Sequence, residues 1–244
     1  MVFIEIGNTS VKAVRKVSAY REFLFKISIH QTKKLNNELL ALPENEKVIL
    51  SSVRKDITDL VNNHWDRFSM FQITTGNLGK VKLDYKTPET LGIDRVLACL
   101  GATAHSPGQD VVVVDAGTSC TIDYMTKDLV FRGGVIMPGL AVYRKAMREL
   151  LPELPDVKSE LPKSFPGRST DEAIQWGMFG GFTYAVQSFV DTYRTLGNKS
   201  AFYATGGDGQ SIAASLNDRY KCIYRENLVF DGMEVFLRLS DIRL

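Results

Sequence analysis

The phrase Phe3-Ile4-Glu5-Ile6-Gly7-Asn8-Thr9-Ser10 has an echo in Val113-Val114-Asp115-Ala116-Gly117-Thr118-Ser119-Cys120. In each, an apolar strand runs into an acid, one further residue, a glycine and then hydroxyl-bearing side chains. Asp115 follows Glu5 by 110 residues, close to half of the 244-residue chain. Self-similarity at that spacing is what a duplicated α/β domain produces. It predicts a first domain over 1–108 and a second over 109–244, with the two acid-bearing turns facing each other across a cleft.

The surrounding pattern is mixed α/β. Val2 to Ile6 and Val11 to Val14 read as strands joined by turn chemistry. Phe23, Phe25, Ile27 and Ile29 alternate with polar residues, which predicts a strand with one buried face. Further strands are expected at 47–53 and 71–74, with a helix carrying Leu60, Val61, Trp65 and Phe68 between them. Leu91, Val96, Leu97 and Leu100 predict a helix that starts soon after Pro88. Strands follow at 111–114, 121–125 and from Leu129 to the break at Pro138-Gly139. Four of the eight prolines fall in 152–166, the mark of an exposed connection. A long helix is expected over 170–195, then a strand at 201–204 running into Thr205-Gly206-Gly207-Asp208-Gly209. The aromatic side chains Trp176, Phe179, Phe182, Tyr184 and Phe189 on that helix suit either core or a dimer face.

Composition removes several function classes. A net charge of +2 is too small a bias to point to nucleic acid or a membrane surface. The longest apolar runs, such as Val111 to Val114, fall far short of the roughly 18 residues of a membrane span. The opening lacks a basic region and meets an acid at Glu5, so it does not read as a signal peptide. Cys99, Cys120 and Cys222 form neither a C-x-x-C pair nor an even disulfide set, and a reducing cytoplasm is the expected compartment. Three scattered histidines, with no H-E-x-x-H, speak against a metalloprotease or a Ser-His-Asp hydrolase. Gly76-Asn77-Leu78-Gly79-Lys80 has the wrong spacing for a P-loop, and Gly207-Asp208-Gly209-Gln210-Ser211-Ile212 ends in Ile where a dinucleotide turn wants Gly or Ala.

An acid at a strand end followed by glycine and threonine suits a metal–phosphate group. The glycine admits close approach of the backbone, the hydroxyls donate, and the carboxylate faces Mg²⁺ directly or through water. Lys12, on the strand returning from the first turn, is a point charge for a transferring phosphoryl group. The plainer alternative is a pair of tight hairpins with a solvated lysine. Asp94 and Arg95 stand at the front of a predicted helix, where a carboxylate also gains simply from the helix dipole.

Read in order, the motifs resemble the type III pantothenate kinases, of the acetate kinase–sugar kinase–Hsp70–actin superfamily. The likeness rests on Gly7-Asn8-Thr9 with Lys12, Tyr85 with Gly92-Ile93-Asp94-Arg95, Asp115-Ala116-Gly117-Thr118, Gly133-Gly134 with Pro138-Gly139, Thr170 with Ala173 and Gly177, and Thr205-Gly206-Gly207. The resemblance implies two actin-like (ribonuclease H-like) α/β domains around a central cleft, and ATP-dependent phosphorylation of pantothenate. It implies ATP binding by Glu5, Ile6, Gly7, Asn8, Thr9, Ser10, Val11, Lys12 and Thr118. Tyr85, Gly92, Ile93, Asp94, Arg95 and Thr170 take the substrate positions, Asp94 that of the proton acceptor. Asp115 takes the place of the ligand to a monovalent cation, potassium or ammonium. Mg²⁺ enters with ATP, and the active form is a homodimer whose substrate sites are completed at the subunit interface. Glu5 departs from the family's aspartate, and its extra methylene carries the carboxylate on the order of 1 Å further, a displacement that can cost roughly 10²-fold in rate. Two other readings use the same residues. One is a weak or inactive regulatory homologue on this fold, the other a different small-molecule kinase of the superfamily.

Overall fold

The computed structural model describes residues 1–18, 20–158, 160–196 and 199–240. They fall into two compact units: Met1–Pro107 with Asp128–Phe131 and the described residues from Asn227 onward, and Gly108–Lys127 with Arg132–Glu226. The units are not contiguous in sequence, because the last helix of the chain packs in the first.

The first unit is built on β1 (Val2–Ile6), β2 (Ser10–Val17), β3 (Tyr20–Ser28), β4 (Lys47–Ser52) and β5 (Ser69–Ile73), in the order β3-β2-β1-β4-β5. β2 runs antiparallel to β1 and β3, while β4 is parallel to β1 and β5. One face packs Val2, Ile4, Ile6, Val48 and Leu50 into a core with helices α1 (Thr32–Ala41) and α2 (Lys55–Asn62). Alternation along a strand then sends Phe3 and Glu5 to the other face. α3 (Ile93–His105) belongs to this unit too, as does the short strand β6 (Lys82–Leu83), which pairs with Val130-Phe131.

The second unit holds β7 (Asp110–Ala116), β8 (Ser119–Met125), most of β9 (Val130–Pro138), β10 (Ser200–Thr205) and β11 (Ile223–Tyr224). Their order is β11-β10-β7-β8-β9. Renumbered from β7, this repeats the order of the first sheet, with the central strand again antiparallel to its hairpin partner and parallel to its other neighbour. The duplication read from the 110-residue offset is therefore present in the topology. The hairpins differ by one residue: Gly7 N–H donates to Ser10 O at 3.0 Å, but Gly117 N–H donates to Ser119 O at 3.2 Å. Beyond the turn the correspondence slips by one, so Lys12 faces Glu5 while Thr121 faces Asp115.

Three local points refine the expectations. Phe23 is 63% exposed although Phe25, Ile27 and Ile29 are buried. The pairing of β2 with β3 steps from Ala13↔Phe25 to Val14↔Phe23, and this bulge takes Phe23 out of phase with the rest of its strand. The expected long helix runs unbroken over 170–196, as α5 (Thr170–Gln175), a π-helical turn at Trp176–Gly180 and α6 (Gly181–Leu196). Its aromatic residues divide accordingly, with Phe179 and Phe182 buried and Tyr184 exposed. The helices α1 and α4 (Leu140–Leu150), and the last two of the described chain, have no counterpart in the sequence reading. α7 (Gly209–Tyr220) follows β10, and α8 (Leu228–Leu239) closes the described chain. Among the described residues no helix is long and apolar enough to cross a membrane.

α8 lies against α3 at the distance glycine permits. A Cβ on Gly232 would stand 1.9 Å from Leu97 O, and one on Gly101 would stand 2.1 Å from Leu228 O. Each helix thus gives up one side chain to seat the other's backbone. Gly232→Ala is expected to destabilise the protein by about 1–3 kcal/mol through overpacking, a fall in Tm of roughly 2–12 °C read by thermal unfolding. An unchanged Tm would mean that the helices separate freely.

Candidate active site

Within the first unit the sequence-marked residues converge on the C-terminal ends of β1 and β4. Glu5 closes β1 opposite Lys12, and Lys12 Nζ lies 3.2 Å from Glu5 Oε2. The glutamate is well covered and the lysine about one third exposed. The turn between them presents Asn8 and Thr9 to solvent, and Arg54 Nη1 donates to Asn8 O at 3.3 Å. Ile6 and Val11 are buried beneath the turn.

Gly92 and Asp94 form the second component. Val53, which follows β4, donates its N–H to Ile6 O at 3.0 Å. A Cβ on Gly92 would lie 3.6 Å from the Val53 side chain, so the start of α3 sits beside the end of β1. The same Cβ would lie 2.6 Å from Asp94 Oδ1. The carboxylate folds back over Gly92, where only a glycine leaves it room. Arg95 N–H donates to that Oδ1 at 2.8 Å, and Ile93 is buried behind it. Asp94 is thereby held in the first turn of α3 with its carboxylate oriented by the backbone.

Arg95 is only 7% exposed. Its guanidinium carbon lies 5.9 Å from the centre of the Tyr85 ring and 5.7 Å from that of Phe131, and Nη1 lies 3.5 Å from Tyr85 Oη. The two rings also pack on each other, with centroids 6.1 Å apart, and a cation set against both is stabilised by their quadrupoles. Phe131 is fully buried, and nothing in its sequence context set it apart from core. Its role comes from the pairing of β9 with β6, which brings it to the residues leading into Tyr85.

In the second unit Asp115 closes β7. A Cβ on Gly206 would lie 2.5 Å from Asp115 Oδ1, and one on Gly117 would lie 3.3 Å from it. Gly206 has φ +86°, a conformation that suits glycine, and it leaves the carboxylate cradled against backbone. Asp208 N–H donates to Ala116 O at 3.0 Å, tying the β10–α7 turn to the same place. Burial, together with the charges of Asp115, Asp123 and Asp208, pushes the Cys120 thiol up to about 12. Cys120 is inert at neutral pH. Among the described residues no group of three or more His, Cys, Asp or Glu could hold a metal ion. The donors at hand are carboxylate and backbone carbonyl oxygens, a set that suits a weakly held hard cation.

Thr118 is exposed in the turn after Asp115, and its carbonyl accepts from Gly139 N–H at 3.0 Å. Thr170 is exposed at the first position of α5. There Ser169 Oγ accepts from Glu172 N–H, which caps the helix, and the Glu172 carboxylate accepts from the N–H of Arg168, the residue before the cap. The structure thus gathers Glu5–Lys12, Tyr85 and Gly92–Arg95 in the first unit, and Asp115 and Thr118 in one turn of the second. It places Thr170 on a separate helix of the second.

A family model described as type III pantothenate kinase matches residues 1–192. A type III pantothenate kinase of Flavobacterium johnsoniae is 30% identical over 216 residues, covering 88% of each chain. Among solved structures, a conserved putative Baf family transcriptional activator from Campylobacter jejuni superposes with a TM-score of 0.68 at 25% identity, over 98% of both chains. A putative 2-dehydro-3-deoxygalactonokinase from Sinorhizobium meliloti has a TM-score of 0.59 at 11% identity, covering 97% of this chain and 98% of its own. That similarity shows the shared actin-like, sugar-kinase fold.

Proposed function

The chain belongs to the type III pantothenate kinase family, and we propose from this how its residues divide the work of that family's reaction. The reaction is ATP-dependent phosphorylation of pantothenate, the first step of coenzyme A synthesis. One observation carries the assignment of roles: the Asp94 carboxylate, folded over Gly92 and held by Arg95 N–H. Asp94 is the base that accepts the proton of the pantothenate hydroxyl as that oxygen attacks the γ-phosphorus. Little covalent chemistry falls to the protein in such a transfer, so alignment and charge compensation account for the rate. Arg95, packed against the Tyr85 and Phe131 rings, positions the substrate with Tyr85, Gly92, Ile93 and Thr170.

The turn from Glu5 to Lys12, through Ile6, Gly7, Asn8, Thr9, Ser10 and Val11, takes the phosphates, and Thr118 gives a second nucleotide contact. The divalent metal that accompanies ATP offsets phosphate charge, and a single carboxylate beside the phosphates suits Mg²⁺, which keeps most of its waters. Asp115, cradled against the backbone at Gly206 and Gly117, holds a potassium or ammonium ion. The protein works as a cytoplasmic homodimer. Exposed apolar side chains on the second unit, among them Leu150 at 77% and Phe165 at 75%, support a subunit interface there.

With ATP and Mg²⁺ the protein is expected to convert pantothenate to phosphopantothenate, several-fold faster with potassium or ammonium than with sodium. Mass spectrometry of the product in buffers of each cation reads this directly. Absence of product in all of them would return the chain to the regulatory reading, and product from another alcohol alone would assign a different kinase. Equal rates in every cation would remove Asp115 from its role.

A further inference from the structure

Glu5 has an in-register neighbour on each side of its strand, Lys12 on β2 and Ser51 on β4. Paired residues on adjacent strands share a face, with the strands about 4.8 Å apart. The carboxylate therefore has an ammonium on one flank and a hydroxyl on the other. Lys12 holds it at 3.2 Å. Ser51 is 0% exposed, and its Oγ has no hydrogen-bond partner among the described residues.

The duplicated half treats the matching position differently. Asp115 is flanked by Thr205 on β10, which is also buried, and the Thr205 hydroxyl donates to Glu226 O at 3.2 Å. A buried hydroxyl without a partner costs stability, and such exceptions concentrate where a ligand or a change of state supplies the partner. At Ser51 the candidate acceptor is next to it. Three rotatable bonds let the Glu5 carboxylate reach either flank.

We propose that Ser51 is a positioning residue for the nucleotide site: when Lys12 turns to the phosphates of ATP, the Ser51 hydroxyl donates to the Glu5 carboxylate that Lys12 releases. The exchange keeps the Glu5 carboxylate oriented while the lysine charge goes to the ligand. It rests on the reading of the Glu5–Lys12 turn as the phosphate site.

The test pairs calorimetric binding of MgATP with thermal unfolding for the native protein, Ser51→Ala and Ser51→Thr. In Ser51→Ala the unpaired hydroxyl is gone, so Tm holds or rises by about 2–4 °C. MgATP then binds about 10–100-fold more weakly, while KM for pantothenate is unchanged. Ser51→Thr, which keeps a donor, restores binding to within a few-fold. Unchanged MgATP affinity in Ser51→Ala overturns the proposal. So does a fall in its Tm, which would mark a hydroxyl that serves the fold alone. Failure of the native protein to bind MgATP at all would instead overturn the phosphate-site reading on which the proposal stands.

Discussion

An enzyme carrying Asp94→Asn turns over about 10²–10⁴-fold more slowly than the native protein and binds ATP with unchanged affinity. The amide preserves the shape of the side chain, so it still lies over Gly92 and can accept from Arg95 N–H. It cannot take a proton from the attacking hydroxyl. The loss therefore falls on kcat and on kcat/KM for pantothenate alike, the signature of an interaction made in the transition state. Steady-state kinetics with calorimetric ATP binding measures both halves. Turnover within a few-fold of native would remove Asp94 as the base.

Lys12→Met lowers kcat/KM for ATP by about 10²–10³-fold, the scale seen when one preorganised charge or donor is taken from a developing anion. Methionine keeps the length of the stem and the β-propensity of the strand is little changed. Lys12 is about one third exposed and its neighbours Val11 and Ala13 carry the packing, so folding survives. Two effects add. The phosphates lose a positive charge, and Glu5 loses the ammonium 3.2 Å away and adds uncompensated repulsion. Lys12→Arg recovers only part of the activity, because a planar fork replaces a compact ammonium at the same place. An unaltered ATP dependence in Lys12→Met would leave the ion pair as a purely structural feature of the β1–β2 hairpin.

Much of this site was legible because its components are local. An acid, a glycine and hydroxyl residues at a strand end are contiguous in the chain, and so are Gly92 to Arg95 at a helix start. The repeated phrase also foretold two sheets, since a duplicated strand order follows from a duplicated sequence. What stayed hidden depends on pairing between distant segments. The bulge at Ala13/Val14 that exposes Phe23 is set by the register of two strands. Phe131 reaches Arg95 through a two-residue ladder to β6. Ser51 looked like one more residue of a buried strand until its register put it beside Glu5.

By itself, then, the sequence determined the α/β class, the twofold repeat and the family, because each is written in short-range patterns of side-chain type. Only the tertiary structure decided that the hairpins differ by one residue, that α8 returns to α3 through facing glycines, and that Glu5 stands between a bonded lysine and an unbonded serine. Those outcomes turn on register and on sub-ångström clearance between backbones, and such quantities exist only once segments far apart in the chain have packed.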